Sequence, residues 1–522
     1  MKTKYVILLL LMLSGSPILL YFGLSSSNNI PNLNQKGIFN LIGLPKTTAF
    51  DANILIDGNL DFETQFGSTG DGTLSHPYHI QDLQISASSA NGINIQNTNV
   101  YFIIENVSVT GDGLHHGIVL SNVTNGVLRN NTLVSCYYGI ILSDSPNNTI
   151  EENTANNNDG GIALDTSQNN FITKNKAFSN NQGFYIYTAN NNTFKENTAT
   201  YNNHMGFYLD GSIADGSMYN KLIGNQGSFN GQDGFYIKNS DENTLLNNTA
   251  SSNTENGIYL TSSFQDNLTD NTVKDNTEYG IYIDSNSYMN ILNFNKATGN
   301  GDGIYIHTHS NRLLGNIASH NLYRGFYLVG AYYNNLTSNL ASSNGEVGFD
   351  VSQSVANNLI DNDASDNGLN GVYSGFEIEM SSENNTLFGN TAYKNSGSGF
   401  YFTLNSNNNT VSNNIAESNG NNGFQLIQCN NCTLTENSAK FNKKYGIFLI
   451  YSNFNKIQHN SLLVNHDGCI EEEDCVNNII SDNTCADSLG PDPTIMIIII
   501  VTSSVGIIAV IVVIIIIRKR QH

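Results

Sequence analysis

Three carboxylates in this chain stand where acid–base chemistry is possible: Asp350, Glu377 and Glu379. Asp350 follows Gly348-Phe349 and Glu377 follows Gly375-Phe376, so the two hold the same place in consecutive copies of a recurring phrase. If the copies stack, the two carboxyl groups come within ~5 Å, the separation at which retaining glycosidases divide acid and nucleophile between a pair. A solvated surface position is the plainer reading of the same residues. The nearest basic residues are His307, His309, Arg312, His320 and Arg324. His307 and His309 share a strand face, and such a pair is a donor set for copper or zinc. Two imidazoles without further ligands in the motif also describe a solvated pair, so neither a metal nor any other cofactor is expected.

A third candidate is aromatic. Tyr185, Tyr208, Tyr236, Tyr259, Tyr282, Tyr305 and Tyr327 occupy the place that Asp350 and Glu377 take over later in the chain. In each copy the residues on either side are apolar, so the tyrosine points away from the buried face. A column of stacked rings stabilises a flat sheet, and an exposed aromatic face is also a platform for sugar rings. Both readings stand at this point.

What must position these residues is the repeat itself. It opens on a glycine at Gly92, Gly117, Gly139, Gly161 and Gly183 and continues to Gly468, at intervals of 22 to 28 residues, most of them 22 or 23. Such a period is the mark of a repeat architecture. The apolar residues alternate, as in Phe184-Tyr185-Ile186, which is the period of a strand with one buried face. A second apolar position follows about ten residues later, at Phe194, Leu245, Leu268 and Leu336. Asparagine supplies the corners, since it tolerates left-handed backbone and bonds the chain locally. Asn175, Asn197, Asn225, Asn248 and Asn271 would stack as an amide ladder. One coil cannot fold alone, so stability is shared between neighbours and the ends need caps.

The phrase G-[IF]-Y-[IL]-x-x-S-x-x-N-x-[LIF]-x-x-N resembles the right-handed parallel β-helix repeats of the pectin-lyase-like superfamily, and more narrowly the NosD-like class of secreted microbial proteins, over roughly residues 50–487. The resemblance implies an all-β, single-stranded right-handed parallel β-helix of about 17 coils of 22–23 residues. The superfamily includes polysaccharide lyases, glycosidases and members with no demonstrated chemistry, so fold does not give function. Its enzymes use acidic or basic residues on an exposed sheet, which is why Asp350, Glu377 and Glu379 are the catalytic candidates. The segment Gly70 to Ile80, GDGTLSHPYHI, resembles the one that precedes the first coil in NosD-like proteins, and residues 50–91 are read as a cap on the open end.

Only 13% of the 522 residues are charged, yet 44 acidic against 22 basic residues leave a net charge of −22. Nucleic acid is excluded as a partner, because phosphate binding needs clustered Lys and Arg. Residues 1–24 read as a secretory signal, with Lys2 and Lys4 before an apolar run, and 25–49 as a linker. The repeats run over 92–487 and a short linker over 488–494. Residues 495–517 carry no charge and are long enough to cross a bilayer as a helix. Arg518-Lys519-Arg520 follows, so the tail 518–522 is expected inside and the β-helix outside, held by a single pass through the cell membrane.

An exported domain holds disulfides, and five of six cysteines cluster late: Cys429, Cys432, Cys469, Cys475 and Cys485. Their pairing is not fixed by spacing. Cys136 stands alone, and one C-x-x-C without a second pair is weak evidence for zinc. Sequons stand at Asn106, Asn122, Asn130, Asn147, Asn191, Asn247, Asn267, Asn335, Asn384, Asn408 and Asn431. The repeat itself demands Asn and Thr at most of these, and glycosylation of the exposed subset is compatible with export. Two coils are long, near Gly211 to Ser217 and near Gly371 to Ser374, and their extra residues must leave as loops.

The expectation is therefore a membrane-anchored extracytoplasmic β-helix that acts as a binding or surface-scaffold protein toward carbohydrate or cell-envelope glycan, with the tyrosines as contact residues. A polysaccharide lyase or glycoside hydrolase of the pectin-lyase-like type is the alternative. A copper-handling accessory protein is the second alternative.

Overall fold

The computed structural model describes residues 50–212 and 216–486, with short backbone pieces between 498 and 513. The expected signal, the linker over 25–49, the linker over 488–494 and the basic tail lie outside the described residues.

Each coil contributes three short strands, and successive coils stack in parallel to make three sheets of eighteen strands each. The coil around Gly183 shows the rule: Gln182–Tyr187 in sheet 1, Thr193–Lys195 in sheet 2, Thr198–Thr200 in sheet 3. Register is strict. Phe184, Tyr185 and Ile186 face Phe207, Tyr208 and Leu209 of the next coil. A slip by one residue would turn every apolar side chain outward, so the alternation fixes the winding.

Inside, equivalent residues stack on one another. Phe326, Phe349, Phe376, Phe400 and Phe424 form one pile with centroids 4.6 to 4.8 Å apart and rings within 7° of parallel. Sheet 2 contributes Phe194, Leu245, Leu268 and Leu336, all fully buried. The inward position of sheet 3 is mostly alanine, as at Ala177, Ala199 and Ala341. The glycine that opens each copy explains this. A methyl group added to Gly423 would sit 2.6 Å from the Gly446 carbonyl oxygen and 2.7 Å from Cβ of Ala439. The glycine is thus a point of close approach between sheets 1 and 3, where neither side has room for more.

The amide ladder is present and runs deeper than a corner ornament. Asn248 donates from Nδ2 to Oδ1 of Asn271 (3.0 Å) and to the Leu222 carbonyl (2.8 Å). Its own Oδ1 accepts the backbone N–H (2.9 Å) and the Nδ2 (3.1 Å) of Asn225. The left-handed turn is not made by these asparagines. It falls on the residue before each, at Glu152 (φ 56°), Lys174 (φ 54°) and Glu196 (φ 55°). The inward amide bonds hold that turn, so the residue that makes it can carry almost any side chain.

The first coil starts earlier than the repeat pattern suggests. Ile54–Asp57, Tyr78–Gln81 and Gln84–Ala87 are the first strands of the three sheets, which brings the coils to eighteen rather than 17. The helix Asn59–Phe66 is inserted between the first two. Its Phe62 is fully buried, stacks on Tyr78 at 5.4 Å and lies 4.9 Å from Phe102 of the second coil. It closes the apolar interior at that end.

The helix expected over 495–517 is not supported. Among the described residues no helix is long and apolar enough to cross a membrane. Ile498–Ile500 pairs antiparallel with Ile511–Val513, and Ser503–Ser504 with Ile507–Ile508. The run is dominated by isoleucine and valine, whose branched Cβ favours strand over helix, so its apolar length alone does not decide its conformation.

Candidate functional site

The outward column of sheet 1 is where the candidate residues meet. Tyr185, Tyr208, Tyr236, Tyr259, Tyr282, Tyr305 and Tyr327 follow one another coil by coil in register. Their ring centroids are 4.7 to 5.3 Å apart. Each interior ring therefore has a neighbouring tyrosine on both faces, and the column offers solvent its edges and hydroxyls rather than ring faces. A sugar would meet a row of hydrogen-bonding groups, not a stacking platform. Burial is the main cause that raises the phenols, Tyr236, Tyr259 and Tyr282 to about 12, so the hydroxyls stay protonated donors.

At the end of this row the column turns ionic. Tyr327 is in register with Asp350, and Asp350 with Glu377. Glu379 pairs with Ser352 and lies on the same face two residues on. The structure thus brings together the three carboxylates and the last tyrosines. It adds Arg324, whose guanidinium carbon lies 4.0 Å above the Tyr327 ring. Nε of Arg324 donates to Oδ2 of Asp350 at 2.8 Å, and Nη1 lies 3.6 Å from Oδ2 of Asp302. The Arg324 backbone N–H also donates to Oδ1 of Asp302, at 2.7 Å. Tyr279 closes the group, stacked on Tyr305 at 4.8 Å.

Asp350 is only 3% exposed, and its Oδ1 has no hydrogen-bond partner among the described residues. Burial pushes its carboxyl well above the usual range; Arg324 opposes this, while Glu379 and Glu377 reinforce it. One guanidinium shared between two buried carboxylates cannot neutralise both, so Asp350 keeps a proton where an exposed aspartate would have lost it. Burial also raises Glu377, against the Ser374 N–H that donates to its Oε1 at 3.2 Å. Asp302 is raised by burial in the same way. On the long coil, Leu369 and Val372 stand exposed in the loop before Ser374, 67% and 76% accessible.

The basic cluster does not assemble. Arg324 alone reaches the carboxylates. His320 sits exposed in a left-handed corner, and Arg312 is exposed at the start of a sheet 2 strand. His307 lies against Gly330 of the next coil, while His309 stacks on Tyr288 of the preceding one at 5.0 Å. Asp302 and Tyr279 escaped the sequence reading because they precede the opening glycine, one place outside the phrase.

The cysteines are structural. Cys469 and Cys485 form a disulfide within the last coil. Cys429 and Cys475 do share one corner, with Ser452 between them: Cys429 donates its N–H to Oγ of Ser452, and Ser452 its own to Sγ of Cys475. Cys432 takes an asparagine's place in a ladder, its N–H on Oδ1 of Asn455 at 2.8 Å. Burial raises the thiols of Cys429 and Cys432 to about 12 and about 11, the opposite of a reactive pair.

A solenoid of three parallel sheets with polar chemistry on the outward face of one defines a right-handed parallel β-helix protein, and residues 210–316 match the profile described as right handed beta helix region. Residues 52–231, 285–396 and 363–489 match the family described as periplasmic copper-binding protein (NosD), and the chain belongs to that family. Among solved structures, it is similar to the A-module of the Azotobacter vinelandii mannuronan C-5 epimerase AlgE4, at 13% identity over 83% of this chain and 98% of that one, with a TM-score of 0.32. It is similar also to the periplasmic alginate epimerase AlgG, at 12% identity over 78% and 85%, TM-score 0.27. XylC in complex with xylose matches at 12% identity over 46% and 52%, TM-score 0.31. No curated protein matches by sequence.

Proposed function

We propose that this chain is an extracytoplasmic β-helix that binds carbohydrate of the cell envelope along the outward face of sheet 1, with Asp350 as the anchoring group. The observation that carries the reading is the buried, unpartnered Oδ1 of Asp350 at the end of a row of seven tyrosines. A buried polar atom left without a partner costs about 1–3 kcal/mol, which a ligand recovers by displacing the side chains that cover the atom and supplying one. Protonated, Oδ1 donates; ionised, it accepts. A sugar hydroxyl does both, so it satisfies the site in either state, and the tyrosine hydroxyls provide further donors along the chain of the glycan.

Export is supported by the Cys469–Cys485 disulfide, which belongs in an oxidising compartment. Attachment to the membrane through the apolar run 495–517, with the tail 518–522 inside, is part of the same proposal.

A second reading has its own observation. Asp350 and Glu377 are carboxyls in register one coil apart, both raised by burial, and acid-catalysed glycan cleavage uses such a pair with one member protonated and the other ionised. The copper named in the family description fits these residues poorly. Among the described residues no three His, Cys, Asp or Glu side chains gather to hold a metal. The two histidines of the H-x-H pair turn to different coils, and Cys429 and Cys432 are buried in ladders.

The test is retention of the full chain on a panel of envelope polysaccharides, compared with Asp350→Asn and Asp350→Leu. Retention that falls at least tenfold in Asp350→Leu supports binding at this site. New reducing or unsaturated ends, lost in both variants, make the chain an enzyme. Retention of no polysaccharide, or retention unchanged by either variant, sinks the proposal.

A further inference from the structure

The eleven sequons separate by geometry into two kinds. Asn147, Asn191, Asn384, Asn408 and Asn431 are all exposed and left-handed, φ 56° to 60°, at the corner that leads into sheet 2. Asn106, Asn130 and Asn247 are exposed and left-handed, φ 53° to 55°, at the corner that leaves it. Asn122 takes a similar corner after sheet 1. In the triplet Asn147-Asn148-Thr149 the three residues divide their roles. Asn148 turns inward to the ladder, donating to the Val123 carbonyl at 2.9 Å, while Asn147 stays exposed and Thr149 half-exposed at the start of a strand. The acceptor amide and the hydroxyl two residues on therefore both lie outside, and the residue that must be buried is the one whose identity the sequon leaves free.

Asn267 and Asn335 differ. Both lie within sheet 2 strands, half-buried, and their Oδ1 atoms accept from Thr269 (2.7 Å) and Thr337 (3.3 Å). They are sequons by composition only.

We infer that the exposed corner asparagines are N-glycosylation sites, and that their glycans line both borders of sheet 2. No corner sequon falls between Asn247 and Asn384, the tract that carries Tyr259, Tyr282, Tyr305, Tyr327, Asp350 and Glu377. The sugar coat thus leaves bare the coils from Tyr259 to Asp350, while Asn384 stands on the coil of Glu377, at the corner its sheet 1 strand leads to. Asn384, Asn408 and Asn431 stand on consecutive coils, about 4.8 Å apart along the axis. Glycans there compete for space, so Asn384 and Asn431 are modified at the expense of Asn408. This inference is independent of what sheet 1 binds.

The full chain, made in a cell with an N-glycosylation pathway and recovered with Cys469–Cys485 oxidised as proof of passage through that compartment, is treated with peptide N-glycosidase and mapped by mass spectrometry. The result expected is a loss of apparent mass on treatment, with Asn converted to Asp at corner sites and not at Asn267 or Asn335. Asn147→Gln and Asn191→Gln each remove one step of that loss. Their folding is safe, because equivalent corners already carry Glu242 and Gln265. No loss of mass, or any conversion pattern that does not favour corners over the two strand sites, overturns the inference.

Discussion

Nε of Arg324 donates to Oδ2 of Asp350 across 2.8 Å, while Oδ1 of the same carboxyl group faces no partner among the described residues. The two residues stand 26 positions apart in the chain and one coil apart in space. Replacing Arg324 with Met removes the cation that Asp302 and Asp350 share. Losing one partner of a buried pair costs about 3–5 kcal/mol when the other stays charged. Asp350 escapes part of that cost by keeping its proton, so Arg324→Met is expected to lower stability by roughly 2 kcal/mol at pH 7.5 and less at pH 5. Equilibrium urea unfolding at the two pH values measures it. An equal loss at both would mean that Arg324 stabilises by packing on Tyr327 rather than by charge.

Acid should stabilise this protein more widely. Asp233 is 3% exposed, and burial raises its carboxyl to about 7, against the two hydrogen bonds it accepts from Asn256 and with the charges of Glu255 and Glu278 behind it. Because the folded state keeps a proton that the unfolded chain has released above about pH 4, the stability linked to this group is full below that pH and is lost as pH climbs toward 7. The loss is on the order of 4 kcal/mol for a shift of this size. Melting temperature is therefore expected to be higher at pH 5 than at pH 8. Asp233→Asn should flatten the curve, since the amide keeps the acceptor to Asn256. A wild-type curve that rises with pH would contradict the buried-acid account.

How far the sequence carried depended on whether a signal repeated in phase. The alternation at Phe184-Tyr185-Ile186 and the spacing of Asn175, Asn197 and Asn225 recur every coil, so strand, ladder and tyrosine column are all readable as words of one phrase. Arg324 and Asp302 each occur once, just ahead of the opening glycine, and only stacking shows that Arg324 bridges Asp302 to Asp350. Phe62 is hidden for a related reason: it belongs to a helix inserted into a coil that lacks the phrase altogether. The run 495–517 shows the converse, since hydrophobicity gives its length but not its backbone.

Breaking one rung of the ladder has a calculable local effect. Asn248→Ala leaves the Asn225 backbone N–H buried without a partner and takes from the Leu222 carbonyl its side-chain donor. At about 1–3 kcal/mol for the orphaned donor and about 1 kcal/mol for the lost side-chain bond, the variant should lose roughly 2–4 kcal/mol. Coils contact only their neighbours, so the damage stays near residues 220–275. Hydrogen exchange should show protection lost there and kept around Phe400. Uniform loss along the whole rod would mean that the coils unfold as one unit.

The glycine rule predicts a steric failure. Gly423→Ala places a methyl group 2.6 Å from the Gly446 carbonyl oxygen and 2.7 Å from Cβ of Ala439, and neither can retreat without separating sheets 1 and 3. Overpacking of this kind costs about 1–3 kcal/mol. Removing the opposing methyl, as in Gly423→Ala with Ala439→Gly, should restore part of it. A double variant no better than the single one would place the strain at the carbonyl alone.

Tyr282 separates the two roles of the aromatic column. Its ring lies 4.7 Å from Tyr259 and 4.9 Å from Tyr305, so Tyr282→Ala strips one face from each neighbour. Truncation of a large aromatic costs about 3–5 kcal/mol in a full core, and the half-buried position here should bring it to roughly 2 kcal/mol. Tyr282→Phe keeps every ring contact and removes only the hydroxyl. If the hydroxyl row binds glycan, Phe should leave the melting temperature unchanged and weaken retention about fivefold, the equivalent of one hydrogen bond near 1 kcal/mol. If the rings serve only to hold the sheet, Phe changes neither quantity. Calorimetry and polysaccharide retention on the same three proteins separate the outcomes, because stacking and hydrogen bonding are lost together in Ala and apart in Phe.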